Sequence, residues 1–180
     1  MTTIVAIENK NWAVMAADSQ ITEDNTKILS TRTPKIIKFK DMYIGLRGDA
    51  RPGDIIAYNW KPPKIKGDIQ KWVVGTMIPS MIKAFEKNNY DWEDDKADFS
   101  FLVMVKNEIF DIGSDMSISR SDSRMYAVGS GKEYAMGGLA VLGYPDDLEN
   151  AIINCMNVLN VSKEFDINTG GFTQVVTYNK

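Results

Sequence analysis

Apolar residues fill two short runs near the start of the chain, residues 2–8 and 12–17, separated by Asn9-Lys10-Asn11. Short runs rich in Ile, Val and Ala, broken by a polar turn, predict a β-hairpin. They are nearly unbroken rather than alternating, as expected of strands covered on both faces. Lys35–Phe39 and Met42–Leu46 predict a second pair around Lys40-Asp41. From Asp68 the period changes: Ile69, Trp72, Val73, Met77, Ile78, Met81, Ile82 and Phe85 recur at helical spacing. Asp68 is placed to cap that helix, and Pro79 to kink or locally open it. Residues 89–98 are polar and mostly acidic, a solvated connection that lacks the ligand spacing and turn glycine of a calcium loop. Strands follow at 99–105, 108–112 and 124–128, helices at about 131–142 and 146–160, and a last strand over Phe172–Tyr178. Leu148, Ala151, Ile152, Cys155 and Leu159 share one face of the second of these helices. Asp146 and Asp147 stand at its N-terminus, where the helix dipole favours negative charge.

Strands and helices therefore come in segregated blocks, which predicts an α+β fold rather than alternating βαβ units. With strands covered on both faces, the packing expected is two stacked sheets between helix layers. The 180 residues and 44% hydrophobic content suit one domain over 1–180 with a sizeable core. A net charge of −3 gives no support to nucleic-acid or anionic-membrane binding. No apolar run approaches the ~18–20 residues that span a bilayer, and the start of the chain lacks a signal peptide's basic stretch and longer apolar core. These features predict a cytoplasmic protein.

Composition then narrows the chemistry. With no histidine, no Ser-His-Asp or Cys-His machinery can be built within the chain. The lone Cys155 excludes an intrachain disulfide and any Cys-rich zinc site, and its place on an apolar helix face marks it as core. No metal or cofactor is expected. An enzyme made from this alphabet must use Ser, Thr, Lys, carboxylates or a terminal amine. Thr2 meets that requirement if Met1 is removed, because the hydroxyl nucleophile and an α-amine base then sit on one residue. An α-amine titrates near ~7.7–8.0, so a useful fraction is neutral at cellular pH.

Six separated pieces carry a resemblance: Thr2-Thr3-Ile4-Val5-Ala6; Ala16-Ala17-Asp18-Ser19; Pro34-Lys35-Ile36-Ile37-Lys38; Ile44-Gly45-Leu46-Arg47-Gly48-Asp49-Ala50; Tyr126-Ala127-Val128-Gly129-Ser130-Gly131; and Asp166-Ile167-Asn168-Thr169-Gly170-Gly171. In this order they resemble the proteasome β-subunit and HslV family of N-terminal-nucleophile (Ntn) hydrolases, from Thr2 to about Asn179, with 51–98 diverged. The resemblance implies a four-layer αββα sandwich. It also implies a threonine-type peptidase subunit of a self-compartmentalising protease, with no propeptide beyond Met1. Thr2 would attack the scissile carbonyl while its own amine shuttles the proton. Lys35 would favour the alkoxide-like form of Thr2, and Asp18 would hold that ammonium by a charge-assisted bond. Gly48 would offer its N–H to the oxyanion. Ser130, between two glycines at a helix start, reads as an N-cap; the resemblance adds contact with the amine and the nucleophilic water, with Asp166 orienting Ser130 and the amine.

The chain departs from the family in three places. Thr169 stands where proteasomal subunits usually carry serine, Arg47 precedes Gly48 where small residues are usual, and the long helix expected after residue 50 is cut short. There Arg51-Pro52-Gly53 and Lys61-Pro62-Pro63 flank only Asp54–Trp60, enough for about two turns. The implied specificity pocket has Leu46 at its floor and Ile21 and Ile37 as walls, all apolar, and should disfavour a charged side chain. The implied substrate is unfolded polypeptide or peptide, delivered into a homo-oligomeric ring by a separate ATPase unfoldase. Two other functions fit the same residues: an Ntn amidase acting on small amides, and a catalytically silent scaffold subunit.

Overall fold

A computed structural model describes residues 2–23, 26–28 and 33–180. The two apolar runs at the start form β1 (Thr3–Glu8) and β2 (Trp12–Ala17), paired antiparallel across the expected polar turn. They are the central strands of a four-stranded sheet, flanked by β10 (Met125–Gly129) and β11 (Gln174–Asn179). A second, five-stranded antiparallel sheet runs in sequence order through β5 (Ile36–Lys38), β6 (Met42–Gly48), β7 (Phe99–Val105), β8 (Glu108–Ile112) and β9 (Ile118–Ser119). β3 (Ile21–Glu23) and β4 (Thr26–Ile28) pair as a separate ribbon that the hydrophobic pattern did not announce.

The alternation of side chains along a strand explains the unbroken apolar runs. Ile4 and Ala6 face the second sheet and pack with Met15, Leu102, Met104 and Ile109. Val5 and Ile7 face the other way, onto Ala135, Leu139, Cys155, Val158 and Leu159 of α4 (Lys132–Leu142) and α5 (Leu148–Phe165). On the far side of the second sheet, Ile44, Phe101, Val103 and Phe110 pack against Ile56, Trp72, Met77, Met81 and Phe85. Three apolar seams thus separate four layers, and the expected αββα sandwich is the architecture found. Cys155 is fully buried in the seam under α5, as its place in the helical pattern required.

The helical layer over the second sheet corrects one expectation. Pro52 and Gly53 lie inside a helix rather than before it: α1 spans Ala50–Asp54 and continues as a wide π-helical turn, Ile55–Asn59. Proline in the first turn removes no intrahelical bond. Gly53 is there because a Cβ would come within 2.4 Å of Leu46 Cδ2. The next helical stretch behaves as Pro79 dictates. α2 (Ile69–Trp72), capped by Asp68 Oδ1 accepting from Lys71 N at 2.8 Å, opens into a π-helical turn at Val73–Met77 before α3 (Ile78–Lys87). A π turn just ahead of a proline accommodates its missing N–H and its ring.

Three boundaries move for local reasons. The strand expected at 124 begins at Met125 because Arg124 is in the left-handed region, with φ 58°. The last strand starts after the Gly170-Gly171 turn, and α5 runs five residues past its expected end, to Phe165. Its buried Ser162 donates to Val158 O and Gly131 O, which satisfies the hydroxyl inside the seam. At the other end Asp147 accepts from Asn150 N at 2.8 Å, as the acid pair there suggested. Among the described residues no helix is long and apolar enough to cross a membrane.

Candidate active site

Thr2 sits at the edge of β1, only 6% exposed, with its main chain held between two loops. Its carbonyl accepts from Ser130 N at 2.9 Å, while Thr3 N donates to Asp18 Oδ1 at 2.9 Å and Thr3 O accepts from Asp18 N at 3.2 Å. Gly129 allows the approach: it has φ 99°, and a Cβ there would lie 1.8 Å from Thr2 O.

Asp18 is the hub. Its carboxylate is fully buried and accepts four hydrogen bonds. Oδ1 takes Thr3 N and Lys35 Nζ (2.7 Å); Oδ2 takes Gln20 N and Gly170 N, both at 3.0 Å. A buried carboxylate saturated in this way, with one donor charged, is a strong electrostatic anchor. Lys35 is 9% exposed at its side chain. Burial depresses its pKa, and the opposing attraction of Asp18, with a smaller pull from Asp166, does not restore it. A lysine held this way is a positive charge with little hydration, suited to stabilising an anion beside it. Gln174 fixes the strand that follows it, accepting from Ile36 N at 3.2 Å and donating to Ile36 O at 3.0 Å.

A second polar cluster lies on the other side of Thr3. Asp166, at the C-terminal end of α5, accepts at Oδ2 from Ser130 Oγ (2.7 Å) and Thr169 Oγ1 (2.6 Å), and at Oδ1 from Asn168 N (3.1 Å). Burial alone would raise its pKa; these hydrogen bonds outweigh it and hold the carboxyl below its usual range. Since the Thr169 proton goes to Asp166, the 2.6 Å contact between Thr3 Oγ1 and Thr169 Oγ1 has Thr3 donating. Thr3 Oγ1 in turn accepts from Gly131 N at 3.1 Å. Thr3 thus joins the two clusters, a role that the sequence reading missed. The only signal for it was a second hydroxyl next to Thr2. Ser130 is not the N-cap expected: α4 is capped by Gly131 without a side-chain bond, because the Ser130 hydroxyl is committed to Asp166.

Gly48 faces Thr2 from the second sheet with φ 89°, and a Cβ there would overlap Asp98 O at 1.9 Å. Asp49 N donates to Asp98 O at 2.8 Å. Hydrogen-bonded pairs alternate along an antiparallel ladder, so Gly48, opposite Phe99, turns its N–H away from β7 and toward the side that holds Lys35 and Thr2. Thr2 and Gly48 border two cavities. One, of about 270 Å3, is lined by Lys35, Ile21, Ile37, Leu46, Ala50 and Gly53 among others. The other, of about 590 Å3, opens between the sheets and carries Arg47, Ser100, Asp111 and Ser130. The nine other residues singled out from the sequence therefore gather around Thr2: Asp18, Lys35, Gly48, Ser130, Asp166 and Thr169 in the polar frame, and Ile21, Ile37 and Leu46 on the apolar wall. Met1 lies outside the described residues. Among these, no group of three or more His, Cys, Asp or Glu side chains converges to hold a metal ion.

No family model matches the chain. It is 28% identical over 184 residues to the ATP-dependent protease subunit HslV of Campylobacter curvus (strain 525.92), covering 98% of this chain and 94% of that protein. It is 26% identical over 156 residues to the HslV subunit of Aliarcobacter butzleri (strain RM4018), covering 82% and 81%. The chain resembles the HslV-like Ntn hydrolases. The fold agrees. Thiobacillus denitrificans BPH superposes with a TM-score of 0.80 at 22% identity, covering 99% of this chain and 98% of that one. HslV of Trypanosoma brucei superposes with 0.71 at 16%, covering 99% and 100%. The departures from the resembling family seen in the sequence are local. Arg47 is tied down by Asp98 Oδ1 (2.5 Å) and Ser100 Oγ (3.0 Å), and the Thr169 hydroxyl bonds both Thr3 and Asp166.

Proposed function

We propose that this chain is a threonine-type peptidase subunit of an HslV-like protease, with Thr2 as the nucleophile once Met1 is removed. The observation that carries the proposal is the convergence on Thr2 of a buried Asp18–Lys35 ion pair and an apolar cavity. Thr2 Oγ attacks the scissile carbonyl as the terminal amine accepts its proton. Lys35 lowers the cost of the alkoxide-like oxygen, and Asp18 fixes the ammonium. The Gly48 N–H receives the oxyanion of the tetrahedral intermediate. Collapse breaks the C–N bond as the ammonium returns the proton to the leaving nitrogen. Water then hydrolyses the ester on Thr2 with the amine as base. Ser130 and Asp166 orient the amine and that water, while Thr169 braces Asp166. Leu46, Ile21 and Ile37 hold an apolar side chain on the residue N-terminal to the cleaved bond.

The substrates proposed are unfolded polypeptides, admitted to a homo-oligomeric ring by an ATPase partner. The names of the HslV relatives support ATP dependence, and the exposed Val141, Ile153, Met156 and Val161 on the outer helix layer support association. The matched T. denitrificans protein has also been solved in complex with epoxomicin. Turnover of unfolded casein against small amides tests the reading, with light scattering for the ring. Thr2→Ala should abolish turnover and preserve the fold, and Lys35→Ala should lose roughly 10²-fold or more. Cleavage of small amides alone, by a monomer, would point to the amidase instead.

A further inference from the structure

The larger cavity has a feature that the nucleophile's chemistry does not use. Along the inter-sheet faces of β6, β7 and β8, the apolar residues give way near Thr2 to Arg47, Ser100 and Asp111. These strands keep one side-chain period throughout, so the seam that buries Leu102, Met104 and Ile109 becomes a polar cleft at its end. Three acids line it, Asp98, Asp111 and Glu133, against two bases, Arg47 and Lys132. Asp98 is paired with Arg47, and Glu133 lies 3.8 Å from Lys132. Asp111 is left over: partly buried, its carboxylate accepts no hydrogen bond and makes no ion pair among the described residues. Burial raises its pKa, opposed by the more distant Arg47 and Lys132. A half-desolvated carboxylate without a partner on a cavity wall favours an incoming cation.

The geometry also assigns a side of the substrate to this cleft. Thr2 and Gly48 are the two residues common to both cavities, so an acyl group on Thr2 lies between them. The apolar cavity takes the side chain before the scissile bond. Ser130 and Gly129, which flank the Thr2 main chain, line the cleft and not the apolar cavity. The leaving nitrogen must approach the Thr2 amine to collect its proton, and therefore departs toward the cleft. Resting on the peptidase reading for this direction, we propose that the cleft binds the polypeptide on the leaving-amine side and that Asp111 selects a basic side chain there.

The test uses matched peptides with a fixed apolar residue before the scissile bond and Lys, Ala or Glu within the next two positions. Binding is measured to Thr2→Ala protein, and kcat/KM to protein that retains Thr2. The Lys peptide should bind about 3- to 10-fold more tightly than the Glu peptide, the range of a partly screened ion pair. Asp111→Asn should erase that order and Asp111→Lys should invert it, with melting temperatures taken alongside. Equal binding of the Lys and Glu peptides to protein carrying Asp111 would overturn the assignment without recourse to any variant. Charge-ordered binding with no cleavage would leave the site standing and sink the peptidase reading. Cleavage indifferent to charge would do the reverse.

Discussion

Replacing Asp18 by Asn leaves the Lys35 ammonium buried beside an amide that cannot neutralise it. Each carboxylate oxygen of Asp18 accepts two hydrogen bonds, Oδ1 from Thr3 N and Lys35 Nζ, Oδ2 from Gln20 N and Gly170 N. Asparagine has one acceptor oxygen, so in either orientation two bonds are lost and an NH2 group faces two donors. Two hydrogen bonds to a charged group are worth about 3–6 kcal/mol, and removal of one partner of a buried ion pair costs about 3–5 kcal/mol. These describe the same loss, so the expected destabilisation is about 3–5 kcal/mol rather than their sum. For a chain of this size that lowers the melting temperature by about 6–20 °C. The pH dependence supplies a second signature. Asp18 is what holds the Lys35 pKa up against burial, so in Asp18→Asn it falls further below its unfolded value. A depressed folded pKa means that the unfolded chain binds more protons, so stability is recovered as pH rises through that window. The deficit relative to the parent protein should be largest near neutrality and narrow on the alkaline side. Urea unfolding at pH 7 and 9.5 measures both. A variant within ~1 kcal/mol of the parent, or a deficit that widens with pH, would refute the reasoning.

Two further substitutions probe the frame and the pocket. Thr169→Ser should keep the Thr3–Thr169–Asp166 chain and near-parental activity, whereas Thr169→Val removes a bond that helps hold the Asp166 pKa down. Asp166 stabilises the fold above its unfolded pKa of about 3.9 and loses that contribution as pH falls through the lowered folded value, so the valine variant should unfold at higher pH in an acid titration. Gly53→Ala places a methyl 2.4 Å from Leu46 Cδ2 and should push Leu46 into the apolar cavity. A peptide library should then show kcat/KM for cleavage after Leu or Phe falling about tenfold relative to Ala; an unchanged profile would remove Leu46 from the pocket.

Much of this arrangement is legible in the sequence because the local and global signals agree. The double-faced burial of β1 and β2 writes itself as unbroken apolar runs, and helical spacing locates α3 and α5. Pro79 marks the opened turn before α3. Thr2, Asp18, Lys35 and Gly48 stand out only through the motifs around them, since an isolated turn glycine or surface lysine looks the same. What was not legible depends on contacts between distant segments. Pro52-Gly53 reads as a helix breaker until Leu46 is seen packed against Gly53. Ser130 reads as a cap until Asp166, 36 residues on, is seen to accept its hydrogen bond. Thr3 and Gln174 carry no motif, and their roles follow from which loops the sheets bring together. Asp111 lies in a strand whose pattern is otherwise that of a core, and only the end of the inter-sheet seam distinguishes it.

The central claim, that Thr2 acts through a free terminal amine, is tested most directly by mass spectrometry of protein treated with a peptide vinyl sulfone. The Thr2 oxygen adds to the vinyl carbon and a proton goes to the carbon next to the sulfone, so the whole reagent mass is gained. The account predicts an untreated chain lighter by one methionine, a single adduct located on Thr2 by fragmentation, and no adduct on Thr2→Ala. A fully active chain that retains Met1, or an adduct on any other residue with Thr2 unmodified, would contradict it.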